Sequence, residues 1–446
     1  MHGLNRRRFL KGAGTAGVAG LTGLSGCTGS LGGGGTTTIK FWHAMGGDTA
    51  KLLDGMGSDF ESQTEGIKLD VASKGSYRET LNATTSAVKA GNPPAVSQIF
   101  EVGTQLAIDS GAFVPVEEII PSDRIDYDQY LDSVMNYYRL DGTLNSMPFN
   151  SSNPVLYYNK DAFEAAGLDP ESPPKTFEEV RAASEALVSN ADVEKGITFA
   201  NHSWFVEQWF AEQDALLVGK QNGRAGTPTK ANLTSDASRN IFEWWADMYD
   251  EGYYLNPGVE AWSAADQAFL SGKTGMHITS TSGITSLTTG GKENGFDVGV
   301  DYLPVPNGSR NGVVIGGASL WVPSGLTDAQ QEAAAEFLLW LTQPEQQVRW
   351  HKGTGYFPIH SGAVDTLEND GWFDENPNYV TAFEQLQETK DSPATRGAVM
   401  GPFLKTRTII EEGYVSMIQG TPVDDALSNM DSKVESELEA HAEKTN

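Results

Sequence analysis

The chain has 446 residues and a formal net charge of −28. Its acidic residues are spread along the whole length, which makes nucleic acid a repelled partner and resembles the surface of a salt-adapted protein. Hydrophobic residues at 39% and aromatics at 10% exclude a disordered chain, and the length exceeds one ordinary core, so two lobes are expected.

The first residues read as an address. Arg6-Arg7-Arg8-Phe9-Leu10-Lys11 has the form of a twin-arginine export signal, and the weakly apolar stretch from Gly12 to Leu24 is too short and Gly-rich to span a bilayer. Leu24-Ser25-Gly26-Cys27 has the form of a lipobox. Cys27 is the one cysteine, so no disulfide can form within the chain. Residues 1–27 are therefore expected to be a signal peptide with lipobox, and lipid on Cys27 would anchor the protein to the outer face of the cell membrane. Residues 28–38, rich in Gly, Ser and Thr, are expected to be a flexible tether.

Beyond the tether, strand and helix alternate. Thr37 to Trp42 is β-branched and aromatic, and Asp48 is placed to cap a helix with Leu52, Met56 and Phe60 at helical spacing. Ile67 to Val71 is a second strand, Ser76 to Ala90 a second helix and Val96 to Phe100 a third strand. That unit predicts a parallel α/β sheet. Ligands of such sheets meet the loops at the carboxyl ends of the strands, where Glu101 falls. A second lobe opens near Asn150 with a strand over Pro154 to Tyr158. Pro173-Pro174-Lys175 is a linker, and Thr176-Phe177-Glu178-Glu179 a capping box. Ser235 to Glu251 predicts a helix with Phe242, Trp245 and Met248 on one side. Thr327-Asp328-Ala329-Gln330 is a further capping box, opening a helix through Trp340 and Leu341. Thr421 to Glu443 predicts a charged amphipathic helix.

No Gly-x-Ser-x-Gly, His-Glu-x-x-His or Cys-x-x-Cys occurs, and the seven histidines show no metal-ligand spacing. Phe269-Leu270-Ser271-Gly272-Lys273-Thr274 superficially resembles a phosphate-binding loop. The position of that motif's first Gly is Gln267, so no ATP hydrolysis is expected. Neither catalysis, a cofactor nor a metal is expected.

Several segments together carry a resemblance: Phe41-Trp42-His43-Ala44-Met45, Lys74-Gly75-Ser76-Tyr77, Glu101-Val102-Gly103-Thr104, Pro148-Phe149-Asn150-Ser151-Ser152, Gly316-Gly317-Ala318-Ser319-Leu320-Trp321 and Thr354-Gly355-Tyr356-Phe357-Pro358-Ile359. In this order they resemble the extracytoplasmic solute-binding proteins of ABC importers of the sugar class, and within them the glycerol 3-phosphate binders. The resemblance implies an α/β fold of two lobes hinged about a cleft. The division expected is 39–148 and 275–322 in the first lobe, 149–274 and 323–446 in the second. It carries ligand contacts onto Tyr77, Glu101, Ser152, Gly317, Tyr356 and Arg407, with Trp204 as an aromatic wall and Thr281 or Ser282 as a hydroxyl donor. Tyr77 and Glu101 are expected from the first lobe, and Trp204, Tyr356 and Arg407 from the second.

The chemistry of these types suits that ligand. Arg407 offers a planar charged fork to phosphate oxygens, unless it merely pairs with Glu411 or Glu412 on its own helix. Ser152, the hydroxyl near Thr281 and the Gly317 amide donate without adding charge, and Glu101 accepts from glycerol hydroxyls. The implied function is capture of glycerol 3-phosphate, or a related glycerophosphodiester, by a monomer that closes its lobes and docks on a membrane permease. A sugar or oligosaccharide binder on the same scaffold, or a lipid-anchored hydrolase, are the alternatives.

Overall fold

Thr37–His43 (β1), Ile67–Ser73 (β2) and Val96–Phe100 (β3) form the parallel centre of a first sheet, in the order β2-β1-β3. In β1 the alternate residues Ile39, Phe41 and His43 are buried, the period of a strand with one face on a core. The computed structural model describes residues 35–445, so the export signal, Cys27 and most of the tether lie outside the described residues. The crossover helices are Gly47–Gln63 and Tyr77–Lys89. The first is not capped by Asp48. Gly46 holds the N-cap position, and Asp48 lies in the first turn beside Lys51, 2.6 Å away, where its charge suits the positive helix end. The second helix has a complete capping box. The Ser76 hydroxyl accepts from the Glu79 amide, and the Glu79 carboxylate accepts from the Ser76 amide.

The chain then adds Phe113–Val114 (β4), a hairpin of Arg139–Leu140 (β5) and Thr143–Leu144 (β6), and the buried strands Met147–Ser152 (β7) and Pro154–Asn159 (β8). Asn153 is where the chain changes sheet. β8 joins a second sheet with Lys195–Thr198 (β9), Tyr254–Leu255 (β10), Thr274–Ser280 (β11) and Val298–Tyr302 (β12), in the order β10-β9-β11-β8-β12. Gly316–Pro323 (β13) returns to the first sheet, antiparallel to β3, β4 and β7. Each sheet with its helices is one lobe, the expected fold class.

The sheets divide the chain differently from the division expected. Within 275–322 only β13 belongs to the first sheet. β11 and β12 flank β8 in the second, because a strand as fully buried as β8 needs neighbours on both edges. The helix Asp328–Leu341, expected with the second lobe, packs on the first: Phe337 lies 5.2 Å from Phe41 and 5.1 Å from Phe60 between ring centres. The helices Phe177–Asn190, Asp236–Asp250 and Val423–Thr445 match the sequence, with Thr176 and Ser235 as N-caps of the first two. No helix among the described residues is long and apolar enough to cross a membrane.

Candidate ligand-binding site

β3 delivers Glu101 directly to the end of the first sheet. Its five residues are all buried, and the chain then turns through Glu101–Gly103, which holds the carboxylate at the strand's carboxyl end. There it meets Arg407, carried on the buried side of the helix Phe403–Ile418. Arg407 Nη2 donates to Glu101 Oε1 at 2.7 Å and to Glu207 Oε2 at 2.8 Å, and Nε donates to Glu207 Oε1 at 2.8 Å. Its Nη1 has no protein hydrogen-bond partner among the described residues. Glu207 comes from the wholly buried helix Ser203–Glu212 and also accepts from the Ser203 hydroxyl at 3.1 Å. Relative exposures are 5% for Glu101, 9% for Glu207 and 5% for Arg407. Burial works against the Arg407 charge, yet the two carboxylates outweigh it and raise its pKa. Burial likewise raises the Glu101 carboxyl, with Arg407 opposing. The alternative pairing of Arg407 within its own helix is not adopted.

Tyr77 opens the capped helix of the first lobe. Its ring stacks on Phe100 at 5.4 Å and 4°. Its hydroxyl accepts from Asn150 Nδ2 at 2.7 Å and lies 3.4 Å from the Tyr356 hydroxyl. Burial, with Tyr356 and Glu101 nearby, pushes that hydroxyl well above its ordinary pKa, so it stays a neutral donor. Tyr356 stacks on Trp350 at 5.6 Å, and Trp350 on Phe149 of β7 at 4.7 Å. Tyr356 thus reaches the first sheet through Trp350 and Phe149, while its neighbour Gly355 packs on the Thr281 carbonyl.

Between these two walls runs the β7–β13 ladder, with Ser152 opposite Gly316 and Ser151 opposite Gly317. Gly317 has φ +101°, and a Cβ there would lie 1.9 Å from the Asn150 carbonyl oxygen. A Cβ on Gly316 would meet the Trp204 indole at 2.5 Å, so the absent side chain is what lets the ring reach the ladder. Trp204, 6% exposed, sits in the first turn of its helix, where His202 Nδ1 accepts its amide at 3.0 Å. Its Nε1 is buried without a partner, as are Thr281 Oγ1 and Ser151 Oγ. Unpartnered buried donors are costly, and each can be satisfied by a water or by a polar group of a ligand. Of the two hydroxyl candidates Thr281 has the free group, because Ser282 donates to Ser280 Oγ at 2.9 Å. The Thr281 amide is bonded to the Asn153 carbonyl, which ties that turn to the end of β7.

Among the expected residues, Tyr356 adjoins Tyr77, Gly316 beside Gly317 packs on Trp204, and Arg407 bonds Glu101. Sequence reasoning missed Glu207 and Asn150. Glu207 stands three residues after Trp204, on the same face of a helix, and that spacing was a usable signal. His202, Glu260 and Glu411 have ligand atoms within 4.8 Å of one another. They do not suit a metal: His202 Nδ1 already accepts the Trp204 amide, so the neutral ring carries its proton on Nε2, the atom facing Glu411.

Residues 55–381 match the family model of bacterial extracellular solute-binding proteins. The sn-glycerol-3-phosphate-binding periplasmic protein UgpB of Agrobacterium fabrum is 32% identical over 405 residues, covering 90% of this chain and 91% of that one. UgpB from Mycobacterium tuberculosis, solved with glycerophosphocholine, is similar in structure with a TM-score of 0.75 at 22% identity, over 92% of this chain and 99% of that one. The GacH receptor of Streptomyces glaucescens, solved unliganded and with acarbose, gives a TM-score of 0.77 at 16% identity, over 91% and 99%. At those identities the two structures share the fold.

Proposed function

The chain belongs to the bacterial extracellular solute-binding protein family, and on that premise we propose that it captures glycerol 3-phosphate outside the cytoplasm and delivers it to the permease of an ABC importer. It acts by binding, not by chemistry on the ligand. The observation that supports the ligand assignment is the pair of unpartnered buried donors Trp204 Nε1 and Thr281 Oγ1, together with an arginine whose Nη1 is uncommitted among the described residues. Neutral donors and the two N–H of one guanidinium nitrogen suit phosphate oxygens, while Glu101 and Glu207 are acceptors for glycerol hydroxyls. We assign ligand contact to Tyr77, Glu101, Ser152, Trp204, Thr281, Gly317, Tyr356 and Arg407.

Capture works through the lobes: a ligand touching both favours the closed form only by binding it better than the open one. The twin-arginine pattern and lipobox support export and anchoring through lipid on Cys27, with the protein acting as a monomer on its tether. The dispersed acidic surface supports a salt-rich setting. Titration calorimetry with glycerol 3-phosphate, glycerophosphocholine and maltose tests the ligand. Saturable one-to-one binding of glycerol 3-phosphate is expected, and maltose binding without it would overturn the assignment.

A further inference from the structure

The site holds more buried negative charge than its arginine balances. Glu101, Glu207 and Glu411 are all buried, Glu411 at 3% exposure, and Arg407 is the one cation bonded among them. Glu411 lies one turn beyond Arg407 on the helix Phe403–Ile418. Its Oε1 accepts the Ser203 amide at 3.2 Å and faces His202 Nε2 at 3.9 Å. Glu260 completes the cluster and meets Arg78 of the first lobe at 3.3 Å. On the far side of the helix the packing is apolar: Trp245 stacks on Tyr414 at 3.7 Å, and Met430 fills the space beside Gly413. An anionic ligand entering here adds charge of the same sign as the surplus.

Given the ligand proposed above, on which this rests, we infer that Glu411 is a further specificity-determining residue, taking up a proton as the anionic ligand binds and so offsetting the added charge. The other groups are poorly placed for that role. Glu101 and Glu207 are already committed to Arg407 by direct hydrogen bonds, and a proton on either oxygen would give up that charge-assisted contact. His202 is held neutral, its pKa pushed well below the ordinary value by burial and by Arg407 and Arg78. Among the described residues, Glu411 has only the Ser203 amide as hydrogen-bond donor. Burial, with Glu260 and Glu207 nearby, pushes its carboxyl up to about 7 against the opposing Ser203 amide and Arg407. A nearby anion would push it higher.

The test is calorimetric titration of the protein with sn-glycerol 3-phosphate in two buffers of very different ionisation enthalpy. Uptake of about half a proton is expected at pH 7 and a larger fraction at pH 8, where the phosphate itself is almost fully dianionic. The variant Glu411→Gln, neutral at every pH, should lose this uptake. At pH 8 it should bind up to about tenfold more tightly than the parent, whereas loss of a merely structural carboxylate would weaken binding. Equal enthalpies in both buffers, with binding intact, overturn the inference and leave the ligand assignment standing. Full uptake retained in Glu411→Gln also overturns it. An absence of any binding heat overturns the ligand assignment and this inference together.

Discussion

Tyr77 and Arg407 are held in place by different physics. The Tyr77 wall is a series of aromatic stacks, Tyr77 on Phe100 and Tyr356 on Trp350 on Phe149, linked by hydroxyls. Each stack contributes modestly, and losing one atom of it leaves the rest in place. The Arg407 wall is a buried charge network in which Glu101 and Glu207 share one guanidinium. Such a network adds little net stability as a whole, yet it is intolerant of losing one member, because the remainder is left buried and uncompensated. One wall supplies shape, the other a charge balance that the ligand must disturb.

Breaking the charge wall should therefore have the largest effect. Arg407→Ala leaves two carboxylates buried without a cation and should cost about 3–5 kcal/mol in urea-induced unfolding. Adding Glu101→Gln and Glu207→Gln should return much of it. A loss below about 1 kcal/mol would mean that water reaches these carboxylates and that the two walls do not differ as argued. Next comes Glu411→Gln. Its carboxyl is raised from 4.5 to about 7, so between those values the folded chain binds more protons than the unfolded one. Its contribution is therefore fully present below pH 4.5 and lost as pH rises to 7. The neutral variant should be more stable than the parent at pH 8, on the order of 3 kcal/mol, with no gain at pH 4.5. Thermal unfolding across that range checks the sign.

The same contrast explains what was legible in the sequence. The capping boxes at Thr176 and Thr327 rest on residues three apart, and both are formed. The strand–helix alternation of β1 to β3 is similarly local. Lobe membership is not: β11 and β12 take their places beside β8 through pairing with residues far away in the chain, which no local period encodes. The aromatic positions come through the resemblance, but the stack of Tyr356 on Trp350 and Phe149 is tertiary, and no local period encodes it. Arg407 was identified without its partners, which lie 200 and 306 residues away. A carboxylate on an acidic chain says nothing about whether it is buried, so Glu411 is indistinguishable from a surface residue until the helices are packed.

The smallest effect should come from the stacked wall. Tyr77→Phe keeps the ring on Phe100 and removes the hydroxyl that accepts from Asn150 and adjoins Tyr356. Asn150 is itself buried, and its Oδ1 still accepts from Gln98 at 2.7 Å, so one donor and no charge is left without a partner. Stability should fall by about 1 kcal/mol, within the range for a single neutral hydrogen bond. Affinity for glycerol 3-phosphate should fall by about three- to tenfold if the hydroxyl also donates to the ligand, measured by calorimetry at a pH where Glu411 is protonated in both proteins. A drop as large as that expected of Arg407→Ala would show that this wall, too, works as one interdependent network. Unchanged affinity would make the ring alone, and not its hydroxyl, the part of Tyr77 that the ligand meets.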